Sequence, residues 1–139
     1  MEKKIRVVAI VLLIFNGITA LWGGAGLIYD PQGDFMQMPV DLLRYSPFPT
    51  YLLPGIMLFT MNGLLSMIIA ILAIRKYRHY PRLIILQGII LTGWLSVQII
   101  MLGVFYAPLH IPYYLAGFGL IGAGLTTAHY SYRNQFQLL

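Results

Sequence analysis

The chain has no cysteine. That excludes disulfides, thiolate nucleophiles and cysteine-ligated metals. Charge is nearly as scarce. Only 9% of residues are charged, against about 25% in an average globular chain. Hydrophobic residues make up 59% of the 139. So short a chain has too little polar surface to cover a water-soluble globule, and lipid is the expected solvent. The net charge of +5 is no argument for nucleic acid, because a basic balance in a membrane protein reports topology.

Charge is absent altogether from four long apolar runs, 7–28, 51–74, 83–105 and 109–130. A spanning helix needs about 20 mostly apolar residues. At 1.5 Å per residue each run reaches roughly 33–36 Å, enough for the hydrocarbon core with some tilt. Proton relays and ion pathways usually carry ionisable groups at that depth. No span holds the carboxylate of a proton-coupled exporter or the paired aspartates of an intramembrane protease.

The basic residues give an orientation. Lys3, Lys4 and Arg6 precede the first run, Arg75, Lys76, Arg78 and Arg82 fill the loop after the second, and Arg133 follows the fourth. Arg44 lies opposite, with Asp30, Asp34 and Asp41. By the positive-inside rule the larger set is cytoplasmic. All ten tyrosines fall at or beyond the ends of the runs, as an aromatic belt requires. The expected fold is all-α: an antiparallel four-helix transmembrane bundle over residues 1–139. Both termini are cytoplasmic, and one long extracytoplasmic loop joins helices 1 and 2. A competing reading takes MEKKIRVVAIVLLIF as a signal peptide with cleavage near Gly23-Gly24-Ala25. The apolar run continues to Ile28, longer than an h-region needs.

The outer loop is cut by Pro31, Pro39, Pro47 and Pro49. Between them MPVDLLRY suits a short interfacial helix, with Val40, Leu42 and Leu43 towards lipid. Such a loop serves either as a lid or as a plain connector.

Asn-Gly, a hairpin signal in soluble proteins, occurs twice inside apolar runs, at Asn16-Gly17 and Asn62-Gly63. A turn at either place would strand backbone groups in hydrocarbon at several kcal/mol each, so both pairs are expected within helices. Glycine there lets neighbouring backbones approach. Asn16 and Asn62 fall near the bilayer midplane, with Trp94 near the middle of the third span and Gln98 one turn further out. An unpaired amide in an alkane-like medium costs about 4–8 kcal/mol. These side chains therefore point inward, to bond one another or a ligand. Gln87, Trp94 and Gln98 share one face of the third helix, and Gly88, Thr92, Ser96 and Gly103 a second.

In the fourth run GFGLIGAG matches G-x-G-x-x-G. The strand, turn and downstream acid of a dinucleotide site are missing. Gly117, Gly119, Gly122 and Ala123 read instead as a small-residue packing face, facing either this chain or a second copy. His110 shares the outer side with Asp30, Asp34 and Asp41, a set that suits acid–base work or a metal only if the fold brings it together. RKYRHYPR, with Arg75, Lys76, Arg78 and Arg82, sets topology and can also meet anionic headgroups at about 1 kcal/mol per basic residue.

Ser46-Pro47-Phe48, Leu53-Pro54-Gly55, Asn62-Gly63, Trp94 and Gln98 together resemble a group of small bacterial membrane proteins without known activity. The likeness covers residues 46–98. It implies four spans and a bacterial origin, and it leaves function open; the expected location is the bacterial inner or plasma membrane.

Three functional readings remain. One is a non-enzymatic accessory subunit or binder of lipid or another hydrophobic ligand, its site formed by Asn16, Asn62, Trp94 and Gln98. The second is an oligomeric transporter or channel. The third is a membrane enzyme using His110 and the outer aspartates. None calls for a cofactor. The bland reading of the midplane amides is structural, as interhelical hydrogen bonds.

Overall fold

The computed structural model describes residues 2–44, 46–103 and 105–137. It is all-helical. Helix α1 is Glu2–Tyr29, α2 runs over Leu52–Ile74, α3 is Tyr80–Leu102 and α4 is Ala107–Gln137. Helices α1, α2 and α3 are long and apolar enough to cross a membrane. Helix α4 has the length at 31 residues, but it does not reach the apolarity of the other three. Its glycines, tyrosines, His110 and Pro112 dilute it.

The ends of the helices follow local chemistry. Pro81 sits in the first turn of α3, where its missing N–H has no partner to lose. Gly103 closes α3 at φ +66°, the left-handed conformation that favours glycine at a C-cap. At the start of α4 the His110 ring and the Tyr106 backbone meet reciprocally: the Tyr106 N–H donates to His110 Nδ1 at 3.0 Å, and the His110 N–H donates to the Tyr106 carbonyl at 2.9 Å.

Both Asn-Gly pairs lie inside helices, as expected. The second has a feature that the sequence does not signal. Within α2 the segment Leu58–Leu64 is wound as a π-helix, flanked by α-helical Leu52–Met57 and Leu65–Ile74. The Leu65 N–H donates to Thr60, five residues back.

Helix α1 packs most extensively along α2, α3 and α4 pack closely against each other, and α1 also packs against α4. The central core joins Ala9 and Leu13 of α1, Ile69, Ala70 and Ala73 of α2, Tyr80 and Ile84 of α3, and Leu120 and Ala123 of α4. Helices α1 and α3 scarcely touch. The outward faces are strongly apolar: Val8, Val11, Ile18 and Trp22 on α1, Ile100 on α3, and Leu115 and Phe118 on α4 are all exposed. Such faces on every helix are what a lipid surround requires.

The loop between α1 and α2 lies across one end. Its short 3-10 helix, Val40–Leu43, corrects one expectation. Leu43 is 3% exposed and packs with Leu27 and Tyr51, so it does not face lipid. The apolar end of the helices competes successfully with lipid for that side chain. Tyr51 is likewise buried, donating its hydroxyl hydrogen to the Pro39 carbonyl at 3.0 Å, and Tyr80 sits in the core. Two of the nine described tyrosines thus leave the expected belt. Tyr45 lies outside the described residues.

Candidate functional site

The polar layer is built where α1 crosses the π segment. Asn16 is 1% exposed, and Asn62, Ser66 and Gln87 are fully buried. Asn16 Nδ2 donates to the Asn62 carbonyl at 3.3 Å and to Ser66 Oγ at 3.5 Å. Ser66 donates in turn to the Leu13 carbonyl at 2.7 Å. From α3, Gln87 Nε2 donates to the Met61 carbonyl at 3.3 Å and to Asn62 Oδ1 at 3.4 Å. The π segment explains why two of its carbonyls take these bonds: its wider turn loosens the internal ladder.

The glycines set the spacing. A Cβ on Gly17 would stand 2.5 Å from Met67 Sδ, and one on Gly24 2.7 Å from the Phe59 backbone nitrogen. One on Gly63 would meet Leu21 at 2.8 Å. Each Asn-Gly pair therefore combines an interhelical amide with the close approach that lets it bond.

The small-residue faces of α3 and α4 meet in the same way. A Cβ on Gly117 would stand 2.5 Å from Thr92, one on Gly88 would stand 2.7 Å from the Gly117 carbonyl, and one on Gly124 would reach the Pro81 carbonyl at 2.8 Å. Ser96 Oγ and Tyr114 Oη lie 2.8 Å apart. Gly119 faces Leu12 of α1, and Ala123 is in the core. Of the four positions expected to meet either this chain or a second copy, Gly117, Gly119 and Ala123 are occupied within this chain; a Cβ on Gly122 meets nothing within 4 Å.

Above the polar layer, where α1 and α3 part, lies a cavity of about 390 Å³. Asn16, Thr19, Ala20 and Gly23 line it from α1, Leu58 from α2, Leu91, Trp94, Leu95 and Gln98 from α3, and His110 and Tyr113 from α4. Met36 and Met38 of the loop complete it. Three of the four expected site residues, Asn16, Trp94 and Gln98, share this wall. Asn62 lies behind it, held by Asn16 and Gln87. Gln87, Ser66, His110 and the two methionines belong to the site as well. The sequence signals for them were the shared face of Gln87 with Trp94, and the FMQM run in the loop.

Among the described residues, three buried side-chain polar atoms have no partner: Asn62 Nδ2, Gln87 Oε1 and Trp94 Nε1. Trp94 belongs to the cavity wall and is 8% exposed.

Among the described residues no hydrogen bond joins His110 to Asp30 or Asp34. The Asp30 carboxylate accepts from the Gln32 N–H at 3.2 Å and the Phe35 N–H at 3.0 Å, holding its own turn. His110 is engaged with Tyr106 and stacks on Phe105 at 5.4 Å between ring centres. Asp34 is exposed. Among the described residues no three His, Cys, Asp or Glu side chains meet as a metal would require. At the opposite end Arg75, Arg78 and Arg82 are exposed. Lys76 joins Glu2, Lys3, Arg6 and Tyr80 around a second cleft of about 380 Å³.

No protein-family model, curated protein or solved structure matches the chain. The functional reading therefore rests on the geometry of these residues.

Proposed function

We propose that this chain is a four-span membrane protein that binds a hydrophobic ligand without transforming it, alone or as an accessory subunit. In this reading α4 completes an antiparallel bundle and both termini lie in the cytoplasm. The loop between α1 and α2 caps the outer end. The same basic residues that motivate this orientation put Arg6 and Lys76 around one cleft.

The observation that carries the reading is the cavity between α1 and α3. Its volume falls within the usual range of small-molecule sites, about 300–1,000 Å³. Apolar side chains, leucine and methionine foremost, form most of its wall, and a few polar side chains converge on it. A transport path through the polar layer finds less support. Asn62 and Gln87 are fully buried and tied to neighbouring helices, and neither lines the cavity. The enzymatic reading loses its acid–base set with the separate engagement of Asp30 and His110.

Native mass spectrometry of the protein released from nanodiscs tests this. The expected result is a retained lipophile in the wild type and its loss in Gly23→Leu. Gly23 lines the cavity, and a Cβ there meets only Leu58, at an ordinary 3.4 Å. A Cβ at this position thus fits without breaking the α1–α2 contact, and the rest of the leucine side chain takes up cavity space. Equal retention by a folded Gly23→Leu protein would overturn the proposal.

A further inference from the structure

We infer that the ligand of this cavity is an uncharged lipophile carrying a hydrogen-bond acceptor oxygen, of the ketone, quinone or ester kind, which engages Trp94. The inference rests on the cavity being a ligand site, and adds which chemistry it selects. None of the lining residues is Asp, Glu, Lys or Arg. An ion brought into an apolar site without a counter-charge is strongly disfavoured, so the wall selects against carboxylates, phosphates and amines.

The polar groups are not equivalent. Asn16 Nδ2 is engaged by Asn62 and Ser66. The Thr19 hydroxyl donates to the Phe15 and Asn16 carbonyls at 2.8 and 3.2 Å. Trp94 Nε1 is unpartnered, and indole is a donor only. What it lacks is an acceptor. Gln98 lies one turn further along α3 and lines the same wall, so it offers an amide to the same head group. Leu27, Leu91, Leu95, Leu102, Met36 and Met38 supply a bed for the hydrocarbon part. Methionine suits a bed that must adapt to a flexible chain.

The test uses wild-type protein in nanodiscs, with the indole N–H and the leucine and methionine methyl groups observed by NMR. The chain has two tryptophans, so a Trp22→Phe sample assigns the Trp94 signal. Three probes of equal chain length are compared at alkaline pH: methyl laurate, laurate and dodecane. The expected result is a saturable downfield shift of the Trp94 N–H with methyl laurate. Dodecane should perturb the methyl groups without that shift, and laurate should bind about tenfold more weakly or worse. Trp94→Phe should weaken the ester about 3- to 10-fold more than it weakens dodecane; Gln98→Leu should weaken the ester in the same sense. Laurate binding as tightly as the ester, or ester binding that leaves the Trp94 N–H unmoved, would overturn the inference while leaving the cavity as a ligand site. If no probe perturbs any cavity methyl group, the ligand-site reading falls with it.

Discussion

At the scale of single residues, the glycines and the buried amides are separable in their effects. At Gly24 a Cβ would collide with the backbone of Phe59, which cannot swing aside. Gly24→Val should therefore lower stability by about 1–3 kcal/mol, read as a fall in the thermal midpoint in nanodiscs. Gly122→Ala meets open space, and should be neutral or stabilising by up to about 1 kcal/mol through helix propensity. If both lowered the midpoint equally, close packing would not be what the glycines provide. Ser66→Ala removes the hydroxyl that links Asn16 to Leu13. Its cost should be close to the average interhelical hydrogen bond, about 0.6 kcal/mol and no more than ~1.7. The sequence made Asn16 and Asn62 legible as buried helical residues, because hydrocarbon penalises the alternative turn so heavily. Which partner each would find was not legible. Asn16 reaches a carbonyl of the facing helix rather than the Asn62 side chain, a choice fixed by the depth of the Gly17 and Gly63 crossing.

At the scale of elements, the π segment and the capping loop matter most. Hydrophobic periodicity cannot distinguish a π turn from an α turn over seven residues, so Leu58–Leu64 reads as ordinary helix. Its consequence is the pair of carbonyls, Met61 and Asn62, that take donors from α3 and α1. The loop was legible as segmented by proline and as containing one short helix. Its inward-facing Leu43 was not, because the apolar platform of Leu27 and Tyr51 exists only in the folded protein. The loop's hold on that platform has two identifiable fasteners. Tyr51→Phe removes the bond to Pro39, and should cost about 0.5–1.5 kcal/mol. Gly33 has φ +84°, and its Cβ direction points onto the Met38 carbonyl. Gly33→Ala should therefore disturb the loop more than Tyr51→Phe. Limited proteolysis of residues 30–50 measures both: faster cleavage than wild type is expected, with α1 and α2 still protected. Unchanged cleavage in both variants would mean that neither contact holds the loop.

For the whole molecule, composition alone made the membrane legible, and the charge-free runs located all four helices to within a few residues at most ends. The gap between α1 and α3 was not legible, since it arises from two helices that pack well on other neighbours and leave each other apart. The larger arrangement places a cavity free of Asp, Glu, Lys and Arg, lined in part by Met36 and Met38 of the loop, towards one end and the Arg6–Lys76 cleft at the other. The decisive measurement exploits the missing cysteines: each introduced thiol is the only one in the chain. Gln32→Cys, Lys3→Cys and Arg78→Cys are labelled in intact cells with a membrane-impermeant maleimide, before and after permeabilisation. The expected result is immediate labelling at position 32, and labelling at 3 and 78 only after permeabilisation. Labelling of positions 3 and 78 from opposite sides, or of 32 and 78 from the same side, would contradict the four-span arrangement on which the cavity's place in the membrane depends.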